Sequence, residues 1–351
     1  MAGKRAAWIG LVVAVIAIAG VIAFVARSDR ATLPSADQVI PPTVVPATTT
    51  APIEQQPTVD GIAVIPRTAP TESTAITGDA ATHVAFSPGG RLLVARAGGR
   101  IDFVDLVTGQ RQPVGLKLAG PRAVALSPDG GRIAVAAAGG TEIWHVLSAS
   151  RTRLEAGDVR ALAFAPGGLT LATADASGVI KLWDTTSWAT TATLPGGRGV
   201  NAITFSPGRA RLAVAGDGAA IWNLAERKIE KRLLATSCAA IDFAPDERTL
   251  ATASNQGVTT WESVFWQTRA VLGGPATHVA FWRGGSVVVV AGSDGMIRIW
   301  DLATGGLLTT LTGMNGPITS MSLSSDSRNI AACGGAGVIL WDAATRTSRK
   351  L

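Results

Sequence analysis

One dipeptide recurs along this chain and sets the frame for everything else. Val104-Asp105, Trp144-His145, Trp183-Asp184, Trp222-Asn223, Trp261-Glu262, Trp300-Asp301 and Trp341-Asp342 follow one another at intervals of 40, 39, 39, 39, 39 and 41 residues. A second landmark keeps the same phase: Phe86, Leu126, Phe164, Phe205, Phe243, Phe281 and Leu323. Most of these are followed by a turn sequence such as "SPGG", "SPDG" or "APGG", where an early Pro and a following Asp or Gly suit a tight hairpin. A fixed period near 40 restricts the chain to a repeat architecture, in which each unit buries its apolar face against its neighbours.

One unit shows what repeats. "THVAF" (277–281) reads as a strand and "RGGS" as a turn. "VVVVAG" (287–292) reads as a buried second strand, "MIRIWD" (296–301) as a third and "LLTTLT" (307–312) as a fourth. Four short antiparallel strands joined by Gly-rich turns make one blade, so seven units predict an all-β, seven-bladed propeller.

Alternation along the first strand explains its residues. Two positions before the landmark stand Val84, Val124, Leu162, Ile203, Ile241, Val279 and Met321. One before it stand Ala85, Ala125, Ala163, Thr204, Asp242, Ala280 and Ser322, and three before it His83, Ala123, Ala161, Ala202, Ala240, His278 and Ser320. Strand side chains alternate faces, so each inner strand has a bulky face and a mostly small one. A bulky face set against a neighbour's small face fills the space between blades. Trp144, Trp183, Trp222, Trp261, Trp300 and Trp341 are expected to wedge between blades. Each would bury about 200 Å², worth roughly 5 kcal/mol gross. Val104 is the weak member of that ring.

The hexapeptide ATHVAF occurs at 81–86 and again at 276–281. Its two copies are in repeat phase, and the other five units keep the strand with Ala or Ser at the His position. The motif is therefore read as a structural strand with a hydrogen-bonded His, not as a duplicated chemical site.

Ahead of the repeats, residues 6–26 are 21 consecutive uncharged and mostly apolar residues. As a helix they would span about 30 Å, the thickness of a bilayer's hydrocarbon core. A cleaved signal peptide is the rival reading, but its apolar core would be about 7–15 residues. Lys4 and Arg5 before the span, against Arg27 and Arg30 offset by Asp29, favour a cytoplasmic N-terminus. Residues 27–71, rich in Pro, Thr and Ala, read as a disordered tether, because they hold too few large apolar residues to offset the entropy of ordering. The expected organisation is a short tail (1–5), a transmembrane helix (6–26), the tether (27–71) and the propeller (72–351). The propeller is expected on the extracytoplasmic side. "ESTAITG" (72–78) aligns with the fourth strands and is the expected closing strand, with "TRTSRKL" (345–351) as its competitor.

Residues 82–351 resemble the WD-repeat β-propeller family, in the form of a membrane-anchored bacterial-type member. The resemblance rests on seven in-phase copies of the Trp-Asp unit, some degenerate. The family's Gly-His pair is missing throughout, with Gly120-Pro121 and Gly316-Pro317 in that region. Asp294 sits at the family's turn aspartate, with Asp175 and Asp217 as further candidates. The resemblance implies partner binding at the mouth formed by the fourth-to-first and second-to-third strand loops. Thr82, Arg122, Asp158, Arg160, Asn201, Thr277 and Thr319 would ring that mouth. Arg122 and Arg160 stand out, because a planar guanidinium pairs with carboxylates and stacks on aromatics.

Other chemistry finds little support. The three His lie outside metal-ligand spacing, and Cys238 and Cys333 form no CxxC, so no metal or cofactor is expected. No GxSxG and no GxxxxGK[ST] is present. The net charge of +6 comes without any block of like charges, so no nucleic-acid partner is expected. Trp266 and Trp282 lie off the pattern and are either exposed anchors or caps over apolar gaps. The expectation is a non-enzymatic, membrane-tethered scaffold for a protein partner. The alternatives are a small-molecule ligand, an envelope hydrolase, or a cytoplasm-facing sensor module.

Overall fold

The computed structural model describes residues 80–351, except Ala119 and Ala235. The expected membrane helix (6–26), tether (27–71) and closing strand (72–78) lie outside these residues. Among the described residues no helix is long and apolar enough to cross a membrane.

Among the described residues, twenty-eight strands form seven separate four-stranded antiparallel sheets, each built from consecutive strands. Blade 1 covers residues 81–117, blade 2 123–154, blade 3 159–195, blade 4 202–234, blade 5 240–272, blade 6 278–311 and blade 7 318–350. The second strand of each blade is the most deeply buried: all five residues of Leu92–Arg96 and of Val287–Ala291 are buried. The outermost strands, such as Lys228–Leu234, are exposed. Burial thus decreases from the second strand to the rim, as the sequence hydrophobicity does.

The seven apolar clusters lie between blades. Trp144 packs with Leu93, Ile101 and Phe103 of blade 1, Trp183 with Ala134 and Ile143 of blade 2, and Trp341 with Val289 and Ile297 of blade 6. Each Trp therefore wedges against the preceding blade. At the seam of the ring, Val104 meets Ala331 and Leu340 of blade 7. Hydroxyls of blade 7 reinforce that smaller contact. Ser320 Oγ accepts Val84 N–H at 3.2 Å and Ser322 Oγ accepts Phe86 N–H at 3.0 Å.

The fourth strand of blade 7 is Ser348–Lys350, paired with Ile339–Trp341. The C-terminus, not the expected N-terminal segment, occupies that position. Leu351 N–H extends the pairing by one bond, to Val338 O at 2.9 Å.

The Trp-Asp dipeptide has two jobs. Its Asp caps the turn between the third and fourth strands: Asp184 accepts N–H groups of Thr186 and Ser187, and Asp342 those of Ala344 and Thr345. These hydrogen bonds hold both carboxyls below the usual carboxylate range. The turn needs a left-handed residue five positions after the Trp slot, which is Gly109, Ala149, Trp188, Arg227, Trp266, Gly305 and Arg346 in the seven blades. Trp188 and Trp266 are thus equivalent residues of blades 3 and 5.

The Trp indoles do without the family's His and Asp. Trp183 Nε1–H donates to Thr173 Oγ1 at 3.0 Å and Trp261 Nε1–H to Thr252 Oγ1 at 2.9 Å. Trp341 uses Thr312 O at 3.2 Å. The indole nitrogens of Trp222 and Trp300 are buried without an acceptor among the described residues.

Candidate functional site

Fourth-to-first connections lead into the inner strands at one end of the ring, and three of the expected mouth residues meet there. Arg122 immediately precedes the strand Ala123–Leu126, its N–H held by Ala136 O at 2.8 Å. Asp158 and Arg160 flank the first residue of Val159–Phe164. The Asp158 carboxylate pairs with Arg122 across the blade boundary and with Arg160, 3.0 Å away on its own strand. The three side chains remain 33%, 46% and 46% exposed, in the order Arg122, Asp158, Arg160. Exposed pairs of this kind contribute at most about 1 kcal/mol each. The cluster carries two cations against one anion and can open toward an incoming carboxylate at little cost.

The other four expected mouth residues bond to backbone carbonyls. Thr82 Oγ1–H donates to Ala95 O at 3.2 Å and Thr277 Oγ1–H to Ala291 O at 3.0 Å. Thr319 Oγ1 lies 3.2 Å from both Thr82 O and Cys333 O. Asn201 Nδ2–H bridges blades 4 and 5 by donating to Cys238 O at 3.0 Å.

The two ATHVAF histidines have matching environments. His83 Nε2 meets Arg122 O of the next blade at 3.1 Å, and His278 bonds to the Thr319 backbone of its own next blade. A carbonyl can only accept, so Nε2 of His83 carries the proton. Nδ1 of each ring sits 3.1 Å from the hydroxyl of the preceding Thr. Burial lowers both imidazoles, His278 to about 4 with a contribution from His83, so both are neutral at pH 7. These are structural histidines between blades, as the repeat phase implied.

The remaining candidates are also packed. Burial pushes the Cys238 and Cys333 thiols to about 11. Trp282 is buried between blades 6 and 7 under the Arg283 guanidinium, 5.0 Å from its ring centroid. Trp266 is buried between blades 4 and 5. Its Nε1–H donates to Glu230 Oε1 at 3.1 Å, and Arg211, paired with the same Glu230 at 2.8 Å, covers its ring. Both tryptophans cap apolar gaps and neither is an exposed anchor. The spacing of five from Trp261 would have placed Trp266 on the pattern.

Comparison with known proteins agrees with this architecture. Residues 147–184, 266–301 and 305–342 each match the family described as WD domain, G-beta repeat. The chain is also similar to Pre-mRNA-processing factor 19 homolog 2 of Arabidopsis thaliana, 29% identical over 203 residues. That likeness covers 52% of this chain and 38% of the relative's length. Three stretches of the seven-bladed ring therefore match WD40 repeats, and such a propeller is suited to protein interaction.

Proposed function

We propose that the protein is a membrane-tethered, non-enzymatic interaction module that captures a partner protein at the mouth of its propeller. The observation that carries this reading is the Arg122–Asp158–Arg160 cluster, exposed at the mouth and holding one more cation than anion. A partner carboxylate can replace Asp158 on either guanidinium and make a bidentate pair. Repeats of this family support a scaffold role. The likeness to the Arabidopsis protein spans too little of that relative for pre-mRNA processing to be carried over.

The apolar segment 6–26 supports anchoring in a bilayer, and the flanking charges support a cytoplasmic N-terminus with the propeller outside. Two experiments test the proposal. Crosslinking from intact membranes, comparing the native chain with Arg122→Ala plus Arg160→Ala, should lose at least one partner without a change in melting temperature. An unchanged partner set would overturn the mouth assignment. A C-terminal reporter active only in the cytoplasm should stay silent, and activity would place the propeller inside.

A further inference from the structure

Blade 4 departs from its neighbours at the start of its third strand, Ala219–Asn223. Three and two positions ahead of Trp222 stand Ala219 and Ala220. The same two positions hold Ile101-Asp102, Thr141-Glu142, Ile180-Lys181, Val258-Thr259, Ile297-Arg298 and Val338-Ile339 in the other blades. In blades 3 and 6 a long side chain uses this space. Lys181 Nζ donates to Glu155 O at 2.8 Å, and Arg298 folds onto Asp294. Blade 4 has no such side chain, and a cavity of about 480 Å³ opens beside Ala219 and Ala220. That volume lies in the range of small-ligand and peptide side-chain sites.

The lining gives the cavity a chemical preference. Its floor is apolar, with buried Val214 and Ala219 and half-buried Leu233 and Leu234. Its walls are backbone-rich, from the connection between blades 3 and 4 and from the turn Gly216-Asp217-Gly218. Arg198 and Arg232 stand exposed on this lining, and neither makes an ion pair among the described residues. Asp217 is the anion that faces them, so the lining carries a net positive charge.

We propose that this groove, formed by blade 4 and the connection that leads into it, binds an extended acidic segment of a partner protein. Its carboxylates meet Arg198 and Arg232, and a short apolar side chain seats against Val214 and Ala219. Guanidinium forks favour planar carboxylates in bidentate geometry. The site shares no residue with the Arg122–Asp158–Arg160 cluster and does not depend on the mouth reading.

Fluorescence anisotropy on the full chain tests this with a short fluorescein-labelled peptide of alternating glutamate and valine. Two controls are used, the lysine-for-glutamate peptide and a labelled single-stranded RNA of matching length. The glutamate peptide should bind, and the lysine peptide should bind at least about tenfold more weakly. Arg198→Glu plus Arg232→Glu should weaken the glutamate peptide by about tenfold or more. Ala220→Gln, which fills the groove without changing charge, should do the same. Arg248→Ala plus Arg328→Ala, exposed arginines that line neither the groove nor the mouth cluster, should leave it within about twofold. Undetectable binding, equal binding by the groove variants, the same loss with the outlying arginine pair, or tighter binding of the RNA would each overturn the proposal. The surface arginine pair keeps the test decisive if Ala220→Gln fails to fold, which circular dichroism would report.

Discussion

A carboxyl oxygen of Asp242 in blade 5 accepts the backbone N–H of Phe281 in blade 6 at 2.9 Å. Ser322 makes the equivalent bond from blade 7 to Phe86 of blade 1. Both residues stand one position before their blade's landmark, on the small face that meets the next blade. Where the column holds Ala the boundary is closed by packing, and where it holds Asp or Ser a side chain pins the neighbouring backbone.

Asp242 makes stability depend on pH in a definite direction. Burial pushes its carboxyl up to about 7. The native state then holds a proton that the unfolded chain releases near the ordinary carboxylate value. Its contribution is fully present below about pH 4 and is lost as pH rises through about 7. Asp242→Asn keeps an acceptor for Phe281 N–H and removes the ionisation. The variant should match the native protein near pH 4 and exceed it by about 1–3 kcal/mol at pH 8. Urea denaturation at the two pH values measures this, and equal stability at pH 8 would contradict it.

The histidine pair acts in the opposite sense. Burial lowers both His83 and His278, the second to about 4. The stability tied to their neutral forms is present above about pH 6.5 and is lost as pH falls toward 4. The side chains and backbone that meet His83 are Thr82 and the Arg122 carbonyl, and those that meet His278 are Thr277 and the Thr319 backbone. Replacing both histidines with Ala, the residue of four other blades, should flatten the fall in melting temperature between pH 7 and pH 4.5. A fall as steep as in the native chain would show that the titration lies elsewhere.

Trp266 should behave as a structural cap. It is buried, bonded to Glu230 and covered by Arg211. Trp266→Ala should cost about 3–5 kcal/mol in chemical denaturation and leave the Arg211–Glu230 pair without its platform. A cost below about 1 kcal/mol would mark the indole as a surface residue.

Much of this was legible because it is periodic. The Trp spacing gave seven blades, and strand alternation gave the bulky and small faces that interlock. The phase of ATHVAF also removed the two histidines from the list of chemical candidates. What escaped lacks a repeated residue identity. The left-handed turn position holds Gly, Ala, Trp and Arg in different blades, so Trp188 and Trp266 looked irregular although their backbone is regular. The groove of blade 4 is written as two small residues, Ala219 and Ala220, and a missing side chain leaves no motif. Arg122, Asp158 and Arg160 were named together with Asn201 and the three Thr, and only the ion pairs and hydrogen bonds of the structure separate the two groups.

The Thr that partners a blade Trp suggests a substitution that runs against the usual rule for cores. Thr252 stands two residues after Leu250, the cross-strand partner of Trp261, and Thr173 stands two after Leu171, the partner of Trp183. Val290 holds the corresponding place in blade 6, two after Val288, the partner of Trp300. Trp300 Nε1 is buried without an acceptor among the described residues. Val→Thr in a core ordinarily destabilises, because the hydroxyl loses its water. Here the hydroxyl would meet an indole N–H that also lacks a partner, so both groups are satisfied by one bond. Val290→Thr should therefore stabilise the propeller by about 0.5–1.5 kcal/mol. Val94→Thr, at the same place in blade 1 where Val104 replaces the Trp, should destabilise it. Denaturation midpoints of the two variants decide the point, and a loss of stability in both would mean that Trp300 does not donate to the hydroxyl.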